Sequence, residues 1–254
     1  MDAAYARQVI EDELKACERA KGVEVLLAVE SGSRCWGFES PDSDYDVRFV
    51  YARPKEDYLR LESVRDTIEW RMDDDIDMVG WDLSKFLRLM RASNPSVFEW
   101  LGSPIVYREA HRFHKVRMMS YECFDPVASA HHYYGMAKKH DARYIRNGNV
   151  TPKRYLYVVR STLACIWSTE RQIPVPMAFE DLKDATLDEE MVPVVDELVR
   201  TKREGLEKES CERNPELEAW VESWLGECES AMRNMRHRKQ VPWEELDELF
   251  RELL

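Results

Sequence analysis

The chain has 254 residues, 44% of them hydrophobic and 34% charged, and its 37 Lys and Arg against 49 Asp and Glu give a formal net charge of −12. This length allows one large domain or two modest ones, each with a buried core. No stretch approaches the roughly 18 consecutive apolar residues that a membrane span requires. The N-terminus lacks a basic segment followed by an apolar run, so no signal peptide is predicted and a cytoplasmic location is expected. A chain this acidic is poorly suited to extended, nonspecific binding of DNA.

The first hundred residues predict a mixture of helices and strands. Apolar residues recur with a helical period at the N-terminus, and a Val- and Leu-rich run then indicates a buried strand. Asp82 is a candidate N-cap, because a side-chain oxygen at that position accepts from a free amide of the first turn. In chain order, the predicted elements are a helix over 2–21, strands over 23–29 and 44–51, a strand–turn–strand unit over 67–81, a helix over 83–92, a helix starting at 94–96 and a strand over 105–107.

The remaining residues have the apolar periodicity of helices and no further strand pattern. The helices are predicted over 108–121, 126–147, 152–171, 190–210, 214–236 and 242–253. The sequence therefore predicts an α/β part over 1–107 and a helical part over 108–254. The six cysteines form no closely spaced pair, so they are expected to be reduced thiols, mostly buried.

Charge is distributed unevenly along the chain. Residues 180–254 contain 22 acidic and 11 basic residues, whereas 131–160 contains seven Lys and Arg, one Asp and three His. The basic segment can hold phosphates despite the acidity of the whole chain. Several tyrosines in and near it can stack a nucleobase, with packing between helices as the alternative; they are Tyr133, Tyr134, Tyr144, Tyr155 and Tyr157.

The most informative segment begins where the first predicted strand ends. Gly32-Ser33 follows that strand, Asp44 and Asp46 open the next strand about ten residues later, and Asp77 stands between apolar residues of a later strand. Gly-Ser at the start of a helix can bind phosphate through free backbone amides, and glycine permits a close approach to the backbone.

Three carboxylates on one face of a sheet repel one another unless cations lie between them. Asp44 and Asp46 are two residues apart on a strand, so their side chains share a face, and Asp77 can join them from a neighbouring strand. Asp75 is the alternative third carboxylate. Magnesium prefers carboxylate and phosphate oxygens, and two such ions can clamp an in-line phosphoryl displacement. The sequence therefore predicts a phosphate site beside a site for two Mg²⁺ ions, with Mn²⁺ as an alternative.

This pattern resembles the DNA polymerase β-like nucleotidyltransferase superfamily. The long motif over 32–48 resembles more closely the RlaP family, also described as YcgL-type predicted nucleotidyltransferases or the RNA repair pathway DNA polymerase β family. The resemblance spans roughly 25–175 and continues in short motifs at 80–83, 93–96, 99–101, 134–139 and 153–160.

The resemblance implies an α+β nucleotidyltransferase fold, with a small mixed sheet and flanking helices over 1–107 and an all-helical substrate-side domain over 108–254. It implies triphosphate binding by Gly32 and Ser33, and metal binding and catalysis by Asp44, Asp46 and Asp77. Lys139 and Lys153 are further candidates for contact with phosphates.

The expected function is Mg²⁺-dependent transfer of a nucleoside monophosphate from an NTP to a hydroxyl, with release of pyrophosphate. An RNA 3′ end, a protein side chain and a small molecule are the candidate acceptors, and the first would connect the protein with RNA repair. Two alternatives remain open. One is a partner-binding, antitoxin-like protein on the same scaffold, and the other is a small-molecule nucleotidyltransferase of the aminoglycoside type.

Overall fold

The computed structural model describes residues 3–73, 75–148, 150–205 and 210–254. The chain divides into two compact units. The first, here called the sheet unit, contains the chain up to 35 together with 44–123 and 240–254, and the second, the helical unit, contains 36–43 and 124–239. The predicted domain ranges of 1–107 and 108–254 differ from these units in three segments, namely 36–43, 108–123 and 240–254.

Helices and strands are interspersed along the chain up to residue 109, and the later elements are helices. The elements are α1 (Ala3–Lys21), β1 (Glu24–Ser31), α2 (Ser33–Trp36), β2 (Tyr45–Ala52), α3 (Lys55–Tyr58), β3 (Thr67–Met72), β4 (Ile76–Asp82), α4 (Leu83–Arg91), α5 (Pro95–Gly102), β5 (Val106–Glu109), α6 (His114–Cys123), α7 (Pro126–His140), α8 (Pro152–Glu170), α9 (Phe179–Thr186), α10 (Val192–Glu204), α11 (Pro215–Met232) and α12 (Trp243–Leu253), with 3₁₀ turns at His111–Phe113 and Glu189–Met191 and a π-helical turn at Asp141–Ile145.

The sheet unit is built on a five-stranded mixed sheet in the order β3-β4-β2-β1-β5. Strand β1 is antiparallel to β2 and β5, whereas β2 and β4 run parallel. Strand β1, which has a neighbour on each side, is buried along nearly its whole length, and this explains its continuous apolar run. The predicted α+β class with a small mixed sheet is confirmed.

Polar caps define several helix starts of the sheet unit. Asp82 accepts a hydrogen bond from the Ser84 amide at 2.8 Å, and Asn94 accepts from Ser96 at 3.0 Å. The predicted cap at Asp82 and the predicted helix start at 94–96 are therefore confirmed.

The C-terminal helix α12 belongs to the sheet unit because its neighbours there satisfy its polar and aromatic groups. Arg91 donates to the Val241 carbonyl at 2.9 Å and lies over the Trp243 ring. Phe250 packs edge-on against Tyr58, with ring centroids 5.0 Å apart. These contacts link residues 150 or more positions apart, which no local pattern reveals.

The helical unit surrounds α8. Thirteen of its 19 residues are buried, because α7, α9, α10 and α11 all pack against it, and a helix covered on several sides is apolar on several sides. Among the described residues, no helix is long and apolar enough to cross a membrane.

Some predicted elements differ from the structure. The helix predicted over 108–121 begins only at His114, because Arg108 and Glu109 complete edge strand β5 by pairing with β1. Helix α9 was not predicted, since Pro174, Pro176 and several acidic residues obscure its apolar period. Residue 2 of the first predicted helix, residue 74 of the predicted turn and residues 206–209 of the predicted helix 190–210 lie outside the described residues.

Candidate active site

Two of the three predicted carboxylates lie side by side in the sheet unit. Asp46 on β2 and Asp77 on β4 are register partners in the parallel pair, so their side chains leave the same face of the sheet. Arg48, two residues after Asp46, shares that face. Its Nη2 contacts Asp46 Oδ1 at 3.0 Å and Asp77 Oδ2 at 2.9 Å. The guanidinium therefore bridges the two carboxylates and partly neutralises them.

The remaining oxygen of Asp77 has an unusual environment. Oδ1 is buried and has no hydrogen-bond partner among the described residues, although leaving a buried acceptor unpaired is unfavourable. Coordination to a hard cation can satisfy such an oxygen. Asp46 and Asp77 therefore fit a divalent metal ion.

Gly32 packs directly against Asp46. Its φ is +72°, a region that favours glycine, and a Cβ at this position would lie 2.1 Å from Asp46 Oδ2 and 3.3 Å from Asp46 Cβ. The predicted phosphate turn and the predicted metal ligand are thus in contact. The structure adds a second reason for glycine here, because any side chain would displace the Asp46 carboxylate.

Glu30 supports this site from within the sheet. It is fully buried at the end of β1, and its Oε1 accepts a hydrogen bond from the Asp46 amide at 2.8 Å. Its other oxygen accepts from the Tyr107 hydroxyl. Burial raises the pKa of Glu30 to about 7, against the opposing effect of these hydrogen bonds. Glu30 was not predicted as a functional residue. The sequence does indicate its importance, because a carboxylate there ends an apolar run just before the Gly-Ser turn.

Asp44 is placed differently from its two predicted partners. It is half-buried and precedes β2, and its backbone carbonyl accepts from Arg34 Nε at 2.9 Å. The Arg34 guanidinium lies 3.9 Å from the centroid of the Tyr45 ring, a favourable cation–π contact. A second cation is thus held close to the start of β2.

Asp77 and Asp75 are the two candidates for the third carboxylate of the predicted metal site. Asp77 is the partner of Asp46, whereas Asp75 is exposed in the turn before β4, where its carbonyl accepts from the Tyr45 amide. Among the residues that the structure describes, no three His, Cys, Asp or Glu side chains form a group that could hold a metal ion. The participation of Asp44 in a metal site, and the two-ion stoichiometry, therefore stay predictions.

Ser33 begins the four-residue helix α2 and is buried. Cys35 in the same turn donates its thiol hydrogen to the Gly32 carbonyl, with the two heavy atoms 3.1 Å apart. This bond closes the turn that carries Gly32 and Ser33. All six cysteines are free thiols and five of them are buried, as the sequence predicts.

The loop between Ser33 and Asp44 is anchored in the helical unit. Phe38 is fully buried there, with its ring centroid 5.3 Å from that of Phe179. Trp36 lies 5.5 Å from Tyr157 between centroids, and the Arg160 guanidinium lies 4.4 Å from its ring. The aromatic part of the long motif therefore has a packing function.

Two cations of α10 hold the same loop. Lys202 is 3% exposed, and its Nζ donates to Ser40 Oγ at 2.5 Å and reaches Ser43 Oγ at 3.4 Å. Arg203 donates to the Gly37 carbonyl through Nε at 3.2 Å and Nη2 at 2.5 Å. Neither residue was predicted, because about 160 positions separate each of them from its partners.

The two predicted lysines belong to the helical unit. Lys139 is exposed near the end of α7, and Lys153 is half-buried in the first turn of α8, with its Nζ 5.8 Å from the centroid of the Tyr157 ring. Their predicted contact with phosphates stays a prediction.

Comparison with known proteins decides the family. The RNA repair pathway DNA polymerase beta family, RlaP, matches residues 6–252. The chain belongs to this family. It is also 40% identical over 245 residues to the uncharacterized protein YcgL of Bacillus subtilis (strain 168), covering 96% of this chain and 94% of that protein. The predicted resemblance is thereby confirmed and extended over nearly the whole chain.

Two more distant similarities accompany this match. The uncharacterized protein MJ0002 of Methanocaldococcus jannaschii is 27% identical over 139 residues, which cover 54% of this chain and 56% of that protein. A crystal structure of a nucleotidyltransferase-like protein from Exiguobacterium sibiricum 255-15 aligns with a TM-score of 0.32 and 11% identity, over 88% of this chain and 74% of that one.

Proposed function

We propose that the protein is a divalent-metal-dependent nucleotidyltransferase, which moves a nucleoside monophosphate from an NTP to a hydroxyl acceptor and releases pyrophosphate. The observation that carries this proposal is the contact between three predicted parts. Asp46 pairs in register with Asp77 and packs against Gly32. Membership in a DNA polymerase beta family supports a nucleotide as substrate.

In the proposed reaction, the acceptor oxygen attacks the α-phosphorus of the NTP. The new O–P bond forms while the bond from that phosphorus to the bridging oxygen of the β-phosphate breaks, so pyrophosphate leaves with the bonding electron pair. Asp46 and Asp77 would hold the Mg²⁺ ion, which would supply charge stabilisation for the phosphate oxygens and acidify the hydroxyl. In this proposal the Asp77 carboxylate accepts the proton of the attacking hydroxyl.

The other residues of the site have supporting roles in this proposal. The Gly32–Ser33 turn presents backbone amides to the triphosphate. Glu30 fixes the Asp46 backbone through its hydrogen bond to the Asp46 amide, so it acts as a positioning residue. Asp44 adds a further carboxylate for metal, as its sequence position predicts.

The test is incubation of the purified protein with each α-³²P-labelled NTP, Mg²⁺ or Mn²⁺, and either total RNA or an RNase-treated lysate. Covalent labelling of one fraction, together with release of unlabelled pyrophosphate, is the expected result. The RNase-treated fraction distinguishes RNA from protein and small-molecule acceptors. Asp77→Asn should abolish labelling, whereas the matched control Asp75→Asn in the neighbouring turn should preserve it. Equal labelling by both variants would contradict the assignment of Asp77, and no labelling by wild type in any fraction would contradict the function.

A further inference from the structure

A cavity of about 790 Å³ lies wholly within the helical unit, lined by α11 and by the chain that runs from α7 into the π-helical turn. This volume is typical of small-molecule sites. The floor of the cavity is apolar, because Ile145, Val221 and Leu225 line it and are almost completely buried. Its rim contains charged side chains. The cavity therefore suits a ligand with an apolar body and charged ends.

A glycine on one wall of this cavity has no explanation in the packing of the unit. Gly226 lines the cavity from the interior of the 18-residue helix α11, where glycine is less favourable than alanine. A Cβ at this position would meet no atom within 4 Å among the described residues. A ligand that passes close to the helix backbone gives a reason for glycine here.

The other wall also departs from regular helix. Asp141, Ala142 and Ile145 line the cavity and belong to the π-helical turn that follows α7. Such turns are frequent at functional sites. The unfavourable glycine of α11 and the π-helical turn therefore meet at the same cavity, although each belongs to a different segment of the chain.

Some charges of the rim are already compensated. Arg146 pairs with Asp141 at 2.7 Å, and Arg213 pairs with Glu218. Glu222 differs from these residues, because it is exposed and makes no hydrogen bond or ion pair within the described part of the chain. Its carboxylate is therefore available to a ligand.

Glu229 is the second carboxylate that a cationic ligand can reach. It accepts a hydrogen bond from the Tyr134 hydroxyl at 3.0 Å, and its other oxygen lies 3.6 Å from exposed Arg233, a pair that contributes little. Lys138 is the remaining cation of the rim, and its Nζ lies 5.2 Å from the centroid of the Tyr134 ring. The rim thus has two weakly compensated carboxylates against one ammonium group.

The two carboxylates and the glycine are aligned. Glu222, Gly226 and Glu229 are separated by four and then three residues, so they form one stripe along α11. The two glutamates are about 10 Å apart along the helix axis, with the glycine between them. A linear chain with an ammonium group at each end can reach both carboxylates only by passing over the glycine.

We propose that this cavity binds a linear aliphatic polyamine, whose terminal ammonium groups pair with Glu222 and Glu229 and whose methylene chain lies on Gly226 and Leu225. A polyamine has no hydroxyl, so it is a separate ligand and not the acceptor of the proposed transfer. An anion would be repelled by the two carboxylates. An uncharged ligand would remove them from water without compensating their charge.

The experiment is isothermal titration calorimetry of the full chain with spermidine, 1,8-diaminooctane and octylamine, without NTP or metal. Both polyamines should bind more tightly than octylamine, which has one ammonium group. Glu222→Gln and Glu229→Gln should each weaken spermidine binding about two- to fivefold, as expected for partly exposed ion pairs. Lys138→Met should strengthen it about twofold, because a competing positive charge is removed.

Gly226→Ala is the sharpest test, because its effects on stability and binding should be opposite. It should raise the melting temperature by about 2–4 °C and weaken spermidine binding about fivefold or more. Gly135→Ala is the matched control, since Gly135 is an exposed glycine within α7 that does not line the cavity and has open space at its Cβ. It should raise the melting temperature similarly and leave binding unchanged.

A second control separates this site from a general attraction of cations to an acidic surface. Glu227 is exposed on α11 and does not line the cavity, so Glu227→Gln should leave the affinity for spermidine unchanged. Equal weakening by Glu227→Gln and Glu222→Gln would overturn the proposal. Wild-type affinity in Gly226→Ala, or absence of spermidine binding by wild type, would also overturn it.

The sign of the charge effects tests the class of ligand. Stronger binding after Glu222→Gln together with weaker binding after Lys138→Met would show that ammonium groups do not lie at these carboxylates. Because the titrations contain no NTP or metal, their outcome does not depend on the proposed transfer. Absence of labelling in the transfer assay would reject the proposed function and leave the polyamine site supported.

Discussion

The two units of the molecule bury charges of opposite sign. Among the described residues, the buried charged side chains of the sheet unit are Glu30 and Asp82, and those of the helical unit are Arg160, Lys183 and Lys202. Charged groups are buried only where partners compensate for their desolvation. The sheet unit is thus arranged around carboxylates, whereas the helical unit is arranged around cations.

The difference indicates how each unit contributes to the proposed reaction. Asp46 and Asp77 of the sheet unit converge on Arg48. One Asp77 oxygen has no hydrogen-bond partner within the described part of the chain, which suits a metal ion. Cations of the helical unit hold the loop 36–43, which is continuous in sequence with both Ser33 and Asp44. The carboxylates proposed to bind a metal ion therefore belong to the sheet unit, whereas the contacts that hold loop 36–43 belong to the helical unit.

The largest expected effect comes from removing a carboxylate of the sheet unit. Asp46→Asn and Asp77→Asn each delete a proposed metal ligand, and the lost charge stabilisation should cost several kcal/mol at the transition state. At about 1.4 kcal/mol per tenfold, transfer should fall by at least ~10²-fold. The measurement is the initial rate of labelling with the NTP and acceptor identified in the transfer assay.

The same variants should not lose stability in proportion. Each removes one negative charge from a crowded pair, so the melting temperature without metal should stay close to that of wild type. The stabilisation that Mg²⁺ gives to wild type should be smaller in both variants. Rates within threefold of wild type would refute the metal-ligand roles.

A smaller effect is expected from removing a buried cation of the helical unit. Lys202→Met keeps the length of the side chain but leaves Ser40 and Ser43 without its ammonium donor. The free energy of unfolding should fall by about 1–3 kcal/mol, as measured by urea denaturation. Arg200→Met on the same helix removes a cation that is 57% exposed and should change it by less than about 1 kcal/mol. Equal losses of unfolding free energy in the two variants would contradict the expectation that a buried cation contributes more to stability than an exposed one.

Much of the sheet unit could be predicted from local pattern. The apolar run of β1, the turn at Gly32 and the strand containing Asp46 all follow from residue order and period. The adjacency of Asp46 and Asp77 required only that two predicted strands pair, and the structure pairs them in register. The choice between Asp75 and Asp77 depends on where β4 begins. A hydrophobic pattern predicts the ends of a strand less precisely than the strand itself.

The anchoring of the loop could not be predicted in this way. Lys202 and Arg203 resemble ordinary surface residues of an amphipathic helix, and their partners lie about 160 residues earlier. Likewise, α12 follows the helical residues in sequence but packs in the sheet unit through Arg91 and Tyr58. Both features depend on tertiary contacts that no hydrophobic period encodes.

Glu30 should make the stability of the protein depend on pH, and a single substitution can test this contribution. Burial raises the pKa of Glu30 to about 7, so the folded state prefers the neutral carboxyl more than the unfolded state does. Its contribution to stability is full below pH 4 and is lost as pH rises through about 7. Glu30→Gln can keep both hydrogen bonds without titrating, so relative to wild type it should gain stability between pH 5 and pH 8. The measurement is the free energy of unfolding by urea denaturation at each pH. A constant difference between the two proteins from pH 5 to pH 8 would contradict this expectation.

The smallest expected effect concerns Arg48, the cation within the acidic site. Without metal, Arg48→Met leaves Asp46 and Asp77 adjacent without the guanidinium between them, so the melting temperature should fall. Saturating Mg²⁺ should restore most of the loss, because the ion replaces the missing positive charge. Arg53→Met is the matched control, since Arg53 pairs with Asp82 at 3.4 Å elsewhere in the sheet unit. Its loss should be the same with and without Mg²⁺. If Mg²⁺ raised the melting temperatures of wild type and both variants equally, Arg48 and the metal would not share the carboxylates, and the acidic site would be a structural ion pair.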